Sequence, residues 1–355
     1  MGRDFGTALL VAAASLMASP PSFSQERPST PLQQVPVLQK SDEVREKIRV
    51  NSELVVLSVM VKDRKGNLVS GVKQEEFRVF DDGIEQKVGI FSEEGLPLSL
   101  VVLVDNDLKW KEGTEMVKSL RAVIGGMSSV DEASVCRFDM LFYPGPDFTS
   151  NTDKLLAALK ETQTKATPAP EYIPQPVRSG TNSTTGPPSV AAPTYSGARP
   201  SKALDDAVYS AAELLRSRGA DHRKMILVVS DGVNEPKLNH RTYEQVIEAL
   251  LRNNISVYSL AVGSDTAKRR FARLASYAAK SGGDIYYARA SSAIEQLYSR
   301  ITEEARHEYT LAYVPAGNHA DSDYHELEVH ILREGLIVET REGYYKTGTE
   351  QTPKE

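Results

Sequence analysis

The sequence predicts an α/β protein with a doubly wound, mainly parallel sheet and a small β-sandwich built from N- and C-terminal β arms. Within residues 96–308, short apolar runs alternate with amphipathic helical patterns, which predicts parallel strands covered by helices on both faces. Before and after this region, residues 46–93 and 309–346 alternate apolar and polar residues between turn signals, which indicates antiparallel strands.

The elements of the α/β region follow one another in regular order. Apolar runs predict strands over residues 98–105, 133–140, 224–232, 255–263 and 284–290. Residues at helical spacing predict helices over 111–127, 151–163, 201–218, 242–254, 267–282 and 292–308. Residues 165–200 interrupt this order with a Pro-, Ser-, Thr- and Gly-rich insertion, which we predict to be disordered.

Each β arm is too short to form a core alone. An arm has about 45 residues, near the size below which a single hydrophobic core is rarely adequate, so we expect the two arms to pack on each other. In the first arm we predict strands near Val50–Val61, Phe77–Phe80 and Gln86–Phe91. In the second arm, residues 308–316, 324–335 and 336–346 read as strands.

The N-terminus has the pattern of an export signal. Arg3 precedes an apolar run from Thr7 to Ala18 and then small residues, so we predict a signal peptide over 1–24 and a linker over 25–45. The run is too short to span a bilayer, and we expect no membrane span in the mature chain. The protein would then be periplasmic or extracellular, with a tail over 347–355.

Composition excludes several classes of function. The chain has 355 residues, of which 25% are charged, and its net charge of -6 comes without any basic stripe, so we expect no nucleic-acid partner. The single cysteine, Cys136, cannot form an intramolecular disulfide and reads as a small buried hydrophobic residue. The histidines lack zinc-hydrolase spacing, and no G-x-S-x-G or P-loop motif is present.

Acidic residues follow two of the predicted parallel strands. Asp105 and Asp107 follow strand 98–105 in "VVLVDND", and Asp231 follows strand 224–232 in "VVSDG". In open α/β sheets ligands bind beyond the carboxyl ends of the strands. We therefore expect these carboxylates to lie at the ligand-binding edge of the sheet.

Together with the helix "ALDDAVYSAAELL" before the second strand, these strand ends resemble the von Willebrand factor type A (vWA) domain, a Rossmann-like fold. The flanking arms, with "VKDRKGNLVSGVKQEEFRVFDDGIEQKV" and "LEVHILREGLIVETREGYY", resemble the secreted VWFA-related family described in acidobacteria. The resemblance covers residues 46–346. It implies a non-enzymatic module that binds another protein through the loops at the carboxyl edge.

The resemblance also implies a metal-ion-dependent adhesion site (MIDAS), written D-x-S-x-S, then Thr, then Asp. The chain has Asp105, Asp107 and Lys109 at the first three positions, Lys202 at the Thr position beside Ser201, and Asp231 at the last. A lysine ammonium has no lone pair with which to ligate a metal. We therefore hypothesise that lysine charge replaces the cation in a degenerate site.

These assignments define the predicted binding edge and its ligands. We expect no cofactor and no bound metal; a Mg²⁺ ion, if one bound, would use Asp105, Asp107, Ser201 and Asp231. No residue is assigned a catalytic role, the partner is expected to be a protein, and the sequence does not define the oligomeric state. The binding edge consists of Asp105, Asn106, Asp107, Lys109, Trp110, Ser201, Lys202, Asp231 and Gly232.

Two alternatives remain open at this edge. "VVLVDNDLKW" also resembles the first motif of haloacid dehalogenase-like, Mg²⁺-dependent phosphatases, with Asp105 as nucleophile, Asp107 as proton shuttle and Ser230 in the second motif. The later acidic pair that would hold Mg²⁺ in that family is missing. In the second alternative the acids cap the next helix and bind nothing.

Overall fold

The structure is a computed structural model that describes residues 43–48, 54–93, 95–106, 108, 120–121, 124–164, 202–263, 269–288, 307–316 and 324–346. The predicted signal peptide, the insertion over 165–200, the tail over 347–355, the predicted helix over 292–308 except its last two residues, and most of the predicted helix over 111–127 lie outside the described residues. The fourteen described strands are β1 (Val55–Asp63), β2 (Phe77–Asp81), β3 (Ile84–Gln86), β4 (Ile90–Ser92), β5 (Leu98–Asp105), β6 (Glu132–Phe138), β7 (Phe142–Tyr143), β8 (Arg223–Ser230), β9 (Ile255–Val262), β10 (Ile285–Ala288), β11 (Tyr309–Tyr313), β12 (Tyr324–Ile331), β13 (Leu336–Glu339) and β14 (Gly343–Tyr345).

The central sheet has six strands in the order β10-β9-β8-β5-β6-β7. All neighbours are parallel except β7, which forms an antiparallel hairpin with the end of β6. The predicted doubly wound, mainly parallel sheet is therefore confirmed. β7 was not predicted because two residues give no periodicity.

Helices cover both faces of this sheet. Four described helices do so: α1 (Thr152–Thr164), α2 (Leu204–Arg216), α3 (Tyr243–Arg252) and α4 (Ala272–Ser281). Apolar side chains of α2, α3 and α4 pack against one face of β5 and β8, and those of α1 pack against the other face. Each β5 residue from Leu100 to Val104 is buried, as a strand between two helical layers requires.

The two arms form a β-sandwich, as the fold class predicts. One sheet has the order β13-β1-β11-β4 and the other β14-β12-β2-β3, so each contains strands from both ends of the chain. Their inner faces share a core that includes Leu57 and Val59 from one sheet and Val79 and Leu327 from the other. Alternation along β1, β2 and β12 places these apolar residues inward.

Two predicted strands are each divided between the sheets. The predicted strand over residues 86–91 starts at the last residue of β3 and ends inside β4, and residues 336–346 contain β13 and β14. The apolar pattern continues where the chain passes from one sheet to the other, because both sheets bury side chains in the same core. At the second crossing Gly343 is required, since a Cβ there would lie 2.5 Å from the His325 carbonyl oxygen.

Buried polar contacts join the sandwich to the α/β unit. Arg223, the first residue of β8, pairs with Glu308 at 2.5 Å, and Lys62 of β1 pairs with Asp284 at 2.6 Å. The Arg341 guanidinium donates to the carbonyl of Leu251, in the last turn of α3 before β9, and to that of Val56 in β1. The contacts on the α/β side lie at the amino ends of its strands, so the carboxyl edge faces away from the sandwich.

A short helix over residues 43–48 was not predicted. Val44 and Ile48 pack against Val56 and Ala312 of the sandwich. The helix spans the predicted boundary between the linker and the first arm. No helix in the described part of the chain is long and apolar enough to cross a membrane.

Candidate functional site

Asp105 and Asp231 lie at the point where the sheet's connections reverse direction. Asp105 ends β5, Asp231 directly follows β8, and these two strands are neighbours. The chain passes from β5 to β6 on one side and from β8 to β9 on the other. This is the topological switch point at which α/β sheets bind ligands.

A single lysine joins the two carboxylates. The Nζ of Lys202 lies 2.6 Å from Oδ2 of Asp105 and 2.9 Å from Oδ1 of Asp231, and donates a hydrogen bond to each. The Ser230 hydroxyl also donates to Asp105 Oδ2, at 2.7 Å. The side chains of Lys202 and Asp105 are 0% exposed, and that of Asp231 is 28% exposed.

The charges of this cluster hold Lys202 as an ammonium. Burial alone would lower the pKa of Lys202, but the facing charges of Asp105 and Asp231 and their hydrogen bonds outweigh it and raise that pKa above its usual value. Burial raises the pKa of Asp105, and the Lys202 ammonium and the Ser230 hydroxyl counter that rise. Lys202 therefore stays protonated at neutral pH.

Backbone contacts fix Lys202 at the start of α2. The Lys202 carbonyl accepts from the Glu235 N–H at 2.9 Å, and the following N–H, of Ala203, donates to the Asp139 carbonyl at 2.9 Å. The N-cap residue Ala203 has no side-chain acceptor, so Asn234 supplies one for the Leu204 N–H at 3.1 Å. The helix start and the loop after β8 thus position each other.

The loop after β8 needs glycine at position 232. Gly232 has φ +73, and a Cβ there would lie 2.6 Å from the carbonyl oxygen of Arg270. In this conformation the Val233 N–H donates to Oδ1 of Asp231 at 3.0 Å. The glycine therefore lets the loop hold the carboxylate toward Lys202.

Asn106 connects the end of β5 to the β6–β7 hairpin. It is buried, its N–H donates to the Phe138 carbonyl at 2.8 Å, and its Nδ2 donates to Oδ2 of Asp139 at 3.1 Å. The Asn106 side chain therefore positions the hairpin, and in the described part of the chain it offers little surface to a partner.

The structure brings together five of the predicted binding-edge residues: Asp105, Asn106, Lys202, Asp231 and Gly232. The other four, Asp107, Lys109, Trp110 and Ser201, lie outside the described residues, so their roles stay predictions. Sequence reasoning did not identify the supporting asparagine Asn234. It noted Ser230 only in the phosphatase alternative, although a hydroxyl next to Asp231 at a strand end was a usable signal.

The described residues do not fit a divalent cation at this edge. A cation in place of the Lys202 ammonium would need the oxygens of Asp105 and Asp231 that the ammonium already binds, and Lys202 offers no lone pair. The same contacts disfavour Asp105 as a phosphatase nucleophile, because its buried Oδ2 accepts from both Lys202 and Ser230.

Comparison with known protein families finds none that matches the chain, and no curated protein matches it either. Solved structures that it is similar to include a von Willebrand factor type A protein from Catenulispora acidiphila, at 11% identity and TM-score 0.41 over 78% of this chain and 75% of that one. BatB from Bacteroides thetaiotaomicron matches at 12% identity and TM-score 0.39, over 59% and 98%. Proximal thread matrix protein 1 of the mussel byssus, with a zinc-occupied MIDAS motif, matches at 10% identity and TM-score 0.40, over 60% of this chain and 49% of that one.

The recognition of a vWA-type domain from the sequence agrees with these matches. At such identities and TM-scores they are similarities in fold, and the topology itself rests on the strand order described above. The chain spans about half the length of the mussel protein, so nothing of that protein's assembly or metal binding is transferred to it.

Proposed function

We propose that the chain is an exported, non-enzymatic vWA-type module that binds a protein partner at the carboxyl edge of its sheet, with Lys202 in place of the adhesion-site metal. The observation that carries the proposal is the position of the Lys202 ammonium, 2.6 Å and 2.9 Å from the carboxylates of Asp105 and Asp231.

Charge balance supports a metal-free site. The buried carboxylate of Asp105 and the partly exposed carboxylate of Asp231 repel each other, and one positive charge between them offsets that repulsion. Lys202 supplies this charge from within the chain. The loops of the edge would then keep their conformation without Mg²⁺, and partner binding would be insensitive to chelators.

The surface around the site supports a protein partner. The loop after β8 presents Glu235, Pro236 and Lys237 as exposed residues directly beside the buried ion pair. The sandwich contacts the opposite end of the sheet, so no described part of the sandwich covers this edge. The resemblance to vWA domains implies a protein ligand at the same place, and this step rests on analogy.

Calorimetric titration tests the metal-free claim. Mg²⁺ or Mn²⁺ should give no binding heat with the native protein, whereas the Lys109→Ser/Lys202→Thr variant, which restores the adhesion motif at both lysines, should gain a single site. A Lys160→Thr/Lys237→Ser variant loses the same charge at exposed positions and should give no binding heat with either cation. Tight Mg²⁺ binding by the native protein would contradict the proposal.

A phosphatase assay tests the non-enzymatic claim. Turnover of a generic phosphomonoester, with and without Mg²⁺, should be no greater for the native protein than for an Asp105→Asn variant. Turnover that depends on both Asp105 and Mg²⁺ would favour the phosphatase alternative instead.

Export is tested by the mass of the mature protein. When the full chain is expressed in a bacterium with a Sec pathway, we expect the periplasmic fraction to contain a chain that begins after residue 24. A cytoplasmic, full-length product would contradict this part of the proposal.

A further inference from the structure

A second cluster of ligand-type side chains lies in the β-sandwich, remote from the carboxyl edge. It consists of Asp81 at the end of β2, Asp82 in the two-residue turn before β3, and His325 on β12. One carboxylate oxygen from each aspartate and a ring nitrogen of His325 all lie within 4.8 Å of one another. No part of the proposed partner-binding function uses these residues.

The turn conformation directs Asp82 toward the histidine. Asp82 has φ 50 and Gly83 has φ 77, which is the left-handed pair of a type I′ hairpin turn. The Asp82 N–H donates to the Glu326 carbonyl at 2.9 Å, which docks the turn on β12. Oδ2 of Asp82 then lies 2.8 Å from Nδ1 of His325.

In each carboxylate one oxygen is held by protein donors, and the other faces the imidazole. Oδ2 of Asp81 accepts from the hydroxyls of Tyr313 at 2.8 Å and Tyr344 at 3.0 Å. Oδ1 of Asp82 accepts from the Glu326 N–H at 2.9 Å. Such outer contacts orient ligands in metal sites.

The remaining oxygen of Asp81 is the feature that points to a ligand. Asp81 is 0% exposed, and its Oδ1 has no hydrogen-bond partner in the described structure, although it lies 4.0 Å from Nδ1 of His325. Buried carboxylate oxygens normally have a donor or a cation. Arg341, which lies over the Tyr344 ring, supplies one positive charge near the two carboxylates.

We propose that Asp81, Asp82 and His325 bind one Zn²⁺ ion, or a similar borderline divalent cation, through Asp81 Oδ1, Asp82 Oδ2 and His325 Nδ1. One imidazole nitrogen and two carboxylate oxygens are a donor set that suits Zn²⁺, whereas Mg²⁺ and Ca²⁺ prefer oxygen ligands alone. Three protein ligands leave a fourth position for water. The Asp82 side chain is 41% exposed and gives the cation a path from solvent.

Zn²⁺ would take the place of the proton that Nδ1 of His325 shares with Asp82. Metal and proton therefore compete for the same nitrogen lone pair. The alternative to a bound metal is that this proton stays on Nδ1, with the His325 imidazolium paired to the two aspartates. The experiment separates the two occupants because only the metal is retained through dialysis.

The chain contains a matched control on the same strand. His330 of β12 lies 3.0 Å from Glu328 through its Nε2, and both side chains are more than half exposed. This pair offers the same two ligand types without burial, outer contacts or a third ligand. We expect it to bind Zn²⁺ only weakly.

The test is equilibrium dialysis of the tag-free, chelator-treated full chain against Zn²⁺ at neutral pH, followed by elemental analysis. We expect one equivalent of Zn²⁺ in the native protein and in His330→Gln, and a loss of affinity of about 10- to 100-fold or more in Asp82→Asn and His325→Gln. Asn tolerates the left-handed turn, so Asp82→Asn keeps the fold, which circular dichroism verifies. Co²⁺ in place of Zn²⁺ should add a visible absorption band that His325→Gln abolishes.

Two results would overturn the proposal. The first is a native protein that retains no Zn²⁺ or Co²⁺ after dialysis, which would leave the His325 imidazolium as the cation of the cluster. The second is retention that is equal in the native protein, Asp82→Asn and His325→Gln. Neither result depends on whether the carboxyl edge binds a partner.

Discussion

Replacing Lys202 by methionine should strongly destabilise the protein. The substitution keeps the length of the side chain and removes its charge, so Asp105 and Asp231 face each other without a cation. Asp105 is buried and cannot be rehydrated in place, while Asp231 is partly exposed and regains some solvent. The loss should therefore come mainly from the Asp105 pair.

The magnitude follows from the two distances. At an effective dielectric near 20, attractions over 2.6 Å and 2.9 Å are each about 6 kcal/mol before desolvation is subtracted. Desolvation of the ions offsets several kcal/mol of this attraction. Removal of one partner from a buried ion pair typically costs about 3–5 kcal/mol of stability. We expect the free energy of unfolding to fall by that amount in Lys202→Met.

Urea unfolding followed by circular dichroism measures this change. Lys160→Met, at an exposed position on α1, is the matched control and should change stability by less than about 0.5 kcal/mol. Adding Asp105→Asn to Lys202→Met should recover part of the loss, because the double variant has one fewer buried charge without a partner. A loss below about 1 kcal/mol in Lys202→Met would refute the reasoning.

Three further predictions concern other parts of the structure. Burial lowers the pKa of Lys224 to about 8, so the folded state binds the Lys224 proton less readily than the unfolded chain does. The free energy of unfolding should therefore rise between pH 8 and pH 10.5. Lys224→Met should raise the urea midpoint of unfolding at pH 7, and this gain should shrink above pH 10. Gly232→Ala should lower stability by about 1–3 kcal/mol because its φ is positive and its Cβ would meet the Arg270 carbonyl, whereas Gly125→Ala, which has open space, should be tolerated. Arg341→Met removes one hydrogen bond between the units, to the Leu251 carbonyl, and one within the sandwich, to the Val56 carbonyl. It should lower the melting temperature by several degrees and give two separated calorimetric peaks where the native protein gives one.

Much of the fold could be predicted because its signals are local. The apolar run over 98–105 matches β5 residue for residue, and the helical spacing over 201–218 contains α2. Buried parallel strands and amphipathic helices carry their periodicity in consecutive residues. The division of residues 86–91 between two sheets could not be predicted, because side chains on either inner face of a sandwich show the same alternation.

Part of the candidate site could likewise be predicted from local sequence signals, and part could not. Asp105 and Asp231 were predictable because each follows an apolar strand, and the position of Lys202 followed from the spacing of the vWA motif. The support from Asn234 could not be predicted, since it depends on how the loop after β8 meets the start of α2 in space. The cluster at Asp81, Asp82 and His325 joins residues more than 240 positions apart and has no local spacing signal.

A crystal structure grown in a high concentration of Mg²⁺ or Mn²⁺ tests the central claim most directly. We expect electron density for the Lys202 ammonium between the carboxylates, 2.6 Å from Asp105 and 2.9 Å from Asp231, and no metal peak at the edge. A divalent cation bound to Asp105 and Asp231, with Lys202 turned to solvent, would contradict it.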